Sequence, residues 1–116
     1  IGTSNKGGSN LNQKNICPRF EKALMLLNHR WNTLLIYQLL DGPQRFSTIK
    51  NQLNISSRVL TERLKELETE QIVLRTVIPS TPVVIEYELT EKGYAITPVL
   101  KEIEQWSSKW VTIAEE

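Results

Sequence analysis

The sequence contains a single cysteine, Cys17, and its position suits a reactive thiol. Pro18 follows it, and proline is favourable at the first position of a helix because its missing N–H costs nothing there. We therefore expect Cys17 at the N-cap, where the positive end of the helix dipole favours thiolate, the form that attacks oxidants and electrophiles. Arg19 and Lys22 add positive potential, which Glu21 partly offsets. The alternative is a small, half-buried residue with a structural role.

The chain has no second cysteine, so no disulfide can form within it. Oxidation of Cys17 would yield a disulfide to a second subunit, a mixed disulfide with a small thiol, or an adduct. This cysteine usage fits a reducing cytoplasm, and no apolar run approaches the length of a membrane span. We expect a cytoplasmic protein with no membrane contact. The sequence starts at Ile1 rather than Met, which is compatible with a missing N-terminal piece.

A second set of chemically useful side chains lies on one face of a helix predicted after Ser56. Three leucines share the apolar face of this helix: Leu60, Leu64 and Leu67. The opposite face carries Arg58, Glu62, Lys65 and Thr69, with Thr61 on its flank. A helix-turn-helix uses such a helix to read base edges in the major groove. An ordinary helical hairpin with a solvated charged face has the same periodicity.

The helix before it completes a predicted helical hairpin within residues 45–75. Ser47 is the expected N-cap, because its hydroxyl can accept from the unpaired N–H groups of the first turn. Phe46, Ile49 and Leu53 follow at helical spacing. Asn54 tolerates the left-handed conformation that ends a helix, and Ser56 can cap the second helix. The hairpin therefore has both a start and a stop signal for its first helix.

Charge is segregated along the chain, although the net charge is only +1. Residues 45–75 contain six basic and four acidic residues, a net of +2, whereas residues 86–116 contain seven acidic and three basic residues, a net of −4. The central hairpin is therefore the more favourable place for an anion.

The 116 residues are enough for one domain with a modest core. Residues 1–16 are rich in Gly, Ser and Asn without periodicity, which predicts a flexible arm or a cloning remnant. The folded domain is expected over residues 17–116. It begins with a helix bearing Phe20, Ala23, Leu24 and Leu27 on its apolar face. Trp31 to Leu40 then forms an apolar core helix that ends at Asp41-Gly42-Pro43.

Two runs rich in β-branched residues follow the hairpin, Ile72 to Ile78 and Val83 to Leu89. A short segment with two prolines, residues 79–82, separates them, so we predict a two-stranded β-hairpin. Directly after a helix-turn-helix, such a hairpin is a wing that can lie along phosphates or reach the minor groove. Its only cation is Arg75, which limits its electrostatic contribution.

The last helix is expected to start at Thr90 and to continue to the end of the chain. Its apolar stripe extends past the point where a core of this size could cover it, which requires a partner, and a second copy of the chain is the simplest one. The predicted dimer residues are Ile96, Val99, Ile103, Trp106 and Trp110.

These pieces together resemble the HxlR-type transcriptional regulators, winged-helix relatives of the MarR group. The resemblance covers about residues 17 to 110, with the pieces in order at the expected spacings. The matching positions are Cys17-Pro18, Ala23-Leu24, Arg30-Trp31, residues 40–43, Arg45-Phe46, Ile55-Ser56, residues 60–68, Arg75, Val77, Pro79, Glu86-Tyr87, Leu89-Thr90, Gly93, residues 98–100 and Trp106. The sequence departs from the family pattern at Asn28-His29, where two glycines are usual, and at Gln71, where one glycine usually ends the second hairpin helix.

The resemblance implies a mainly α winged helix-turn-helix with a small β-hairpin, which forms a homodimer through its terminal helices and binds a palindromic site in double-stranded DNA. Some family members respond to electrophiles or oxidants through the cysteine that corresponds to Cys17. The residues predicted to contact DNA are the polar residues of the hairpin and wing: Arg45, Thr48, Lys50, Ser56, Ser57, Arg58, Thr61, Glu62, Lys65 and Arg75.

Other functional classes find less support in the sequence. His29 is the only histidine and has no paired base or nucleophile, and one Cys with one His cannot form a conventional zinc site. No glycine-rich phosphate loop is present, so we expect neither an enzyme nor a cofactor. Two alternatives stay open: a winged-helix module that binds only protein, and a regulator without redox sensing whose small-molecule effector binds among Trp31, Tyr37, Tyr94 and Trp106.

Overall fold

The computed structural model describes residues 15–114, and within them it contains six helices and a three-stranded antiparallel sheet. Most of the predicted N-terminal arm, residues 1–14, lies outside the described residues. The elements in chain order are α1 (Pro18–Leu27), α2 (Arg30–Leu39), β1 (Gln44–Arg45), α3 (Phe46–Leu53), α4 (Ser57–Thr69), β2 (Val73–Ile78), β3 (Val84–Leu89), α5 (Glu91–Tyr94) and α6 (Thr97–Trp110). The predicted fold class, mainly α with a small sheet, is confirmed.

The core forms around α2, as its apolar circumference predicts. Leu35, Ile36 and Leu39 are completely buried. They join the leucine face of α4, whose three leucines, Leu60, Leu64 and Leu67, are also buried. One side of α4 is therefore fixed in the interior, and its other side is left to solvent.

The helical hairpin forms with one difference from the sequence prediction. The expected cap at Ser47 is wrong, because α3 already begins at Phe46 and its N-cap is Arg45 in an extended conformation. Arg45 is extended because it pairs with Glu86 across the sheet. Asn54 ends α3 in the left-handed conformation, with φ of 53°, as predicted. Ser56 caps α4 by accepting a hydrogen bond from the Val59 N–H at 3.2 Å, also as predicted.

The C-terminal end of α4 keeps its cap although Gln71 replaces the usual glycine. Gln71 adopts a left-handed φ of 63°. Its N–H donates to the Glu68 carbonyl at 2.9 Å, and the Ile72 N–H donates to the Leu67 carbonyl at 2.9 Å. These two bonds define a Schellman motif, and the buried side chains of Leu67 and Ile72 supply its usual apolar contact. The substitution therefore strains the backbone locally without removing the helix stop.

The predicted wing is present, but the sheet has one more strand than the sequence predicts. β2 and β3 pair antiparallel from Val73↔Leu89 to Ile78↔Val84. The additional strand, β1, pairs with β3 in the order β1-β3-β2. β1 is only two residues long, so alternation of apolar residues could not reveal it. It connects the start of the helical hairpin directly to the wing.

The prediction of one continuous terminal helix is wrong. Thr90 caps the start as predicted, with its hydroxyl accepting from the Gly93 N–H at 3.2 Å. However, α5 ends at Tyr94 and α6 begins at Thr97. Pro98 has no N–H to donate to the Tyr94 carbonyl, and the Thr97 hydroxyl donates to that carbonyl instead at 2.6 Å. The apolar stripe is consequently carried by a separate 14-residue helix.

Candidate nucleic-acid interface

The outward face of α4 presents the polar side chains that the sequence predicts there. Arg58, Thr61, Glu62 and Lys65 are all exposed. The Arg58 guanidinium donates to the Glu62 carboxylate at 3.2 Å, one helical turn away. The Thr61 hydroxyl donates to the Ser57 carbonyl at 2.7 Å, which leaves its oxygen lone pairs available as acceptors. Lys65 is not in any ion pair within the described part of the chain.

The predicted contacts outside α4 differ in how freely they reach solvent. Arg45 and Thr48 are exposed, whereas Lys50 is half-buried on α3. Ser56 and Ser57 are exposed at the start of α4, where backbone N–H groups of the first turn point outward. Ser56 and Ser57 therefore lie at the N-terminal end of α4, and the N-terminal residues of a recognition helix are the ones that approach base edges.

The wing contributes one cation and two carboxylates. Arg75 is exposed on β2, opposite Tyr87 of β3, while Glu86 and Glu88 are half-buried on β3. At the wing tip the Ser80 hydroxyl donates to the Pro82 carbonyl at 2.6 Å. The charge of the wing is therefore unfavourable for a strong phosphate contact, and Arg75 stands as its sole basic group.

Cys17 occupies the predicted N-cap of α1 and is exposed. Its backbone carbonyl accepts from the Glu21 N–H at 3.0 Å, which closes the first helical turn. Its side chain, however, accepts no hydrogen bond from that turn. The sulfur is thus accessible to a soluble reagent and is not held by the helix.

The predicted dimer residues leave a large apolar face on α6 uncovered in the single chain. Trp106 is 60% exposed and Trp110 is 65% exposed, while Ile96 is half-buried against the core. The sequence prediction missed that α1 is equally uncovered. No residue of α1 is buried, and its exposed apolar side chains are Phe20, Leu24 and Met25. Both terminal helices therefore present apolar surface.

Sequence reasoning also missed a polar cluster beside the outward polar face of α4 (Arg58, Thr61, Glu62 and Lys65). Asn32 of α2 is 1% exposed, and it is the only buried polar or charged residue in the described range. Its amide nitrogen donates to the Leu26 carbonyl at 3.1 Å and to Glu66 Oε1 at 3.0 Å. Arg63 donates to the same Glu66 oxygen at 2.6 Å. Only a three-dimensional structure reveals this cluster, because Asn32 lies 31 residues from Arg63 and 34 residues from Glu66 in sequence.

The four aromatic residues named for an effector pocket do not line the cavity beside α1. A cavity of about 720 Å³ lies between α1 and the α5–α6 corner, and none of Trp31, Tyr37, Tyr94 and Trp106 lines it. Tyr37 instead donates a hydrogen bond to the Glu104 carboxylate. That hydrogen bond, aided by the negative charge, raises the pKa of Tyr37 above its ordinary value. His29, the only histidine, caps α2 by accepting from the Trp31 N–H at 3.3 Å.

The model of the HxlR-like helix-turn-helix family matches residues 26–115. The chain belongs to this family. YvaP of Bacillus subtilis (strain 168), an uncharacterized HTH-type transcriptional regulator, is 57% identical over 102 residues, which are 87% of this chain and 94% of YvaP. YodB, an HTH-type transcriptional regulator of the same organism, is 46% identical over 106 residues, 87% of this chain and 95% of YodB. This HxlR-type chain is therefore a transcriptional regulator with a helix-turn-helix fold.

Solved structures agree with this assignment. The reduced form of YodB superposes with a TM-score of 0.76 at 47% identity, covering 83% of this chain and 95% of YodB. YodB has also been solved after diamide treatment and with quinone bound. The redox regulator HypR in its oxidized form superposes with a TM-score of 0.75 at 33% identity, covering 84% of this chain and all of HypR. Within residues 15–114 of this HxlR-type chain, no helix is both long and apolar enough to span a bilayer.

Proposed function

We propose that this regulator is a homodimer that binds a twofold-symmetric DNA site through α4, and that modification of Cys17 changes its affinity for that site. The observation that carries the proposal is the two-sided character of α4. Its leucine face is buried, while Arg58, Thr61 and Lys65 project from the opposite side without obstruction. A helix fixed in this way can enter the major groove with its polar side chains already positioned.

The chemistry of this face fits base edges. Arg58 can donate to guanine O6 and N7 once it leaves Glu62. Breaking this ion pair requires little free energy, because both of its partners are exposed. Glu62 can accept from the cytosine amino group, and the Thr61 hydroxyl oxygen can accept from a base donor. Lys65 supplies a flexible cation suited to a phosphate or to guanine. The remaining predicted contacts of the hairpin and the wing would fix orientation on the phosphate backbone.

The same surface argues against a module that binds only protein. Such a module would present large apolar side chains on α4. The exposed large apolar residues of the described chain lie on α1, α2, α5, α6, the sheet and the segments that flank them, and none lies on α4. The apolar surfaces of α1 and α6 instead support self-association, which would place two copies of α4 on one face of the DNA.

The redox part of the proposal rests on the exposure of Cys17 and on the relatives. YodB has been solved in reduced, diamide-treated and quinone-bound forms, and HypR is a redox regulator. Cys17 begins the helix whose apolar side chains border the proposed dimer surface. A disulfide to a partner, a mixed disulfide or an adduct at this position would alter how α1 packs in the dimer.

The DNA half of the proposal is tested by selecting bound sequences from a random duplex pool and titrating the selected site. Two half-sites should emerge about one helical turn apart, roughly 34–36 Å. Arg58→Ala should weaken binding by about 1–3 kcal/mol if Arg58 reads a base. Lys65→Ala should weaken all sequences alike and lower the salt slope by about one if Lys65 contacts a phosphate.

Lys101→Ala is the matched control, because it removes the same charge from an exposed position on α6 that faces away from Trp106. Unchanged binding in both α4 variants would refute the assignment of α4 as the reading helix.

The redox half is tested by titrating the same site with reduced, diamide-treated and quinone-treated protein, alongside Cys17→Ser. The affinity of the unmodified protein should change with treatment, and that of Cys17→Ser should not. Equal affinity of the unmodified protein in all three states would make Cys17 a structural residue.

A further inference from the structure

Asn32 joins three helices at a single buried amide. Its nitrogen bonds to Leu26 at the end of α1 and to Glu66 of α4, while Asn32 itself belongs to α2. Its oxygen faces the Arg63 guanidinium at 3.5 Å. Leu26 O and the Glu66 carboxylate only accept hydrogen bonds, and Arg63 only donates, so these partners fix the orientation of the amide. Both amide hydrogens and one acceptor site are thereby used.

Besides the packing of the half-buried Leu26 and Leu27 against the core, α1 is attached by few polar contacts within the described residues, and this junction is prominent among them. No residue of α1 is buried. Its last carbonyls are held by two neighbouring side chains of α2, with Asn32 bound to the Leu26 carbonyl and the Thr33 hydroxyl donating to the Leu27 carbonyl at 2.5 Å. An ion pair at 3.7 Å between the exposed Lys22 and the half-buried Glu70 adds little, because Lys22 is largely solvated. Of the two side chains of α2 that hold α1, Asn32 also bonds to α4.

The α4 residues of the junction lie next to the proposed reading face. Arg63 and Glu66 follow Glu62 and Lys65 directly in sequence, so they occupy the flank between that face and the buried leucines. Arg63 and Glu66 are held to each other at 2.6 Å, and Asn32 binds this pair as a unit. A rotation of α4 about its axis would break these bonds, and so would a shift of α1 that displaced Asn32.

We propose that Asn32 is a positioning residue for DNA recognition: it fixes the rotation of α4 against α1 and transmits displacement of α1 to the reading face. The proposal rests on the proposed function for the role of α4 in reading DNA. The mechanical coupling between α1 and α4 can be tested without DNA.

Two variants break the junction from opposite sides. Asn32→Leu replaces the amide by an apolar side chain of similar size, and Glu66→Ala removes the α4 partner from a position with 43% side-chain exposure, where folding tolerates truncation. Each has a matched control. Thr33→Val removes the neighbouring bond to α1 without touching α4, and Glu68→Ala removes the same charge from the exposed side of the same helix.

The first measurement is binding of the reduced proteins to the selected site and to random duplex DNA. Both junction variants should lose about five- to tenfold in the ratio of specific to non-specific affinity, the equivalent of one or two net hydrogen bonds. Thr33→Val and Glu68→Ala should keep the ratio of the unmodified protein. A ratio unchanged in both junction variants would overturn the positioning role, because a purely structural role would change thermal stability and leave the ratio alone.

The second measurement uses hydrogen exchange of the amides in residues 57–69 before and after alkylation of Cys17 with N-ethylmaleimide. Alkylation should raise exchange in α4 of the unmodified protein and of Thr33→Val. In Asn32→Leu and Glu66→Ala exchange should already be raised and should not respond to alkylation. An α4 that is unaffected by alkylation in the unmodified protein, or that responds equally in the junction variants, would overturn the transmission.

If α4 does not read DNA, Arg58→Ala leaves specific binding intact, while the exchange experiment still reports on the junction. If diamide and quinone do not change DNA affinity, the sensing role of Cys17 fails, and the affinity ratios of the reduced junction variants still test Asn32.

Discussion

Trp106→Ala tests the proposed dimer at the centre of the apolar face of α6. In the single chain Trp106 lies between Ile103 and Trp110 on that face, and all three are more than half exposed. Truncating the indole removes apolar surface that only a partner could cover. We expect the variant to fold normally, because this side chain contributes little to the core, and to dissociate much more readily.

The expected loss of dimer stability follows from the exposure of the Trp106 side chain. A tryptophan presents up to about 250 Å², so 60% exposure leaves about 150 Å² for burial in a dimer. At about 25 cal/mol per Å², covering that area stabilises each protomer by about 4 kcal/mol. The alanine methyl group keeps part of this stabilisation, so the variant should lose about 2–3 kcal/mol of dimer stability per protomer. A twofold interface contains the residue twice, so the dimer should lose about 5 kcal/mol, more than a thousandfold in dissociation constant.

Sedimentation velocity across a concentration series measures the effect directly. The unmodified protein should sediment as a dimer at micromolar concentration, and Trp106→Ala should sediment mainly as a monomer under the same conditions. Leu74→Ala is the matched control, since Leu74 is an exposed apolar residue on β2, outside both terminal helices. A monomeric unmodified protein would refute the dimer and the twofold-symmetric site together, and an unchanged dimer in Trp106→Ala would move the interface away from α6.

Two further predictions concern stability. Gln71→Gly should raise the free energy of unfolding by about 0.5–1 kcal/mol, because the left-handed strain that glycine removes at φ 63° exceeds the extra backbone entropy that glycine loses on folding. A lower urea midpoint in the variant would contradict this. The raised pKa of Tyr37 means that its contribution to stability is complete below the unfolded value of about 10 and is lost as pH rises through the folded value. Above about pH 10 the free energy of unfolding, measured by urea titration, should therefore fall less steeply with pH in Tyr37→Phe than in the unmodified protein. An identical fall in both proteins would show that the hydrogen bond from Tyr37 to Glu104 is not its source.

The elements that the sequence predicts correctly are those with local signals. Pro18 at the start of α1, Asn54 after α3, Ser56 before α4 and Thr90 before α5 each act within three residues, and each takes the predicted role. The leucine face of α4 is equally local, because helical spacing alone brings its members together. The apolar and polar sides of the candidate site could therefore be assigned before any tertiary contact was known.

The features that escaped prediction depend on partners distant in the chain. β1 exists only because Gln44 and Arg45 meet Tyr87 and Glu86, more than forty residues away, and this pairing also moved the start of α3 from the expected cap at Ser47. The break between α5 and α6 was visible in principle, since Pro98 interrupts the hydrogen-bond ladder. The apolar periodicity that continued through it concealed the break.

The burial of Asn32 depends on Glu66 and on the end of α1, so no local pattern could indicate it.

The pairing of β1 with β3 has a consequence for how regulation can act. Because β1 runs directly into α3, and β2 leaves directly from the end of α4, the hairpin and the wing are cross-braced into a single block. Such a block resists internal bending, so in the proposed dimer the adjustable quantity would be the distance between the two blocks. A displacement of about 3.4 Å, one base-pair step, is enough to put the second half-site out of phase with its reader. Regulation would then change the spacing between two rigid DNA-binding blocks, and the packing of the terminal helices would determine that spacing.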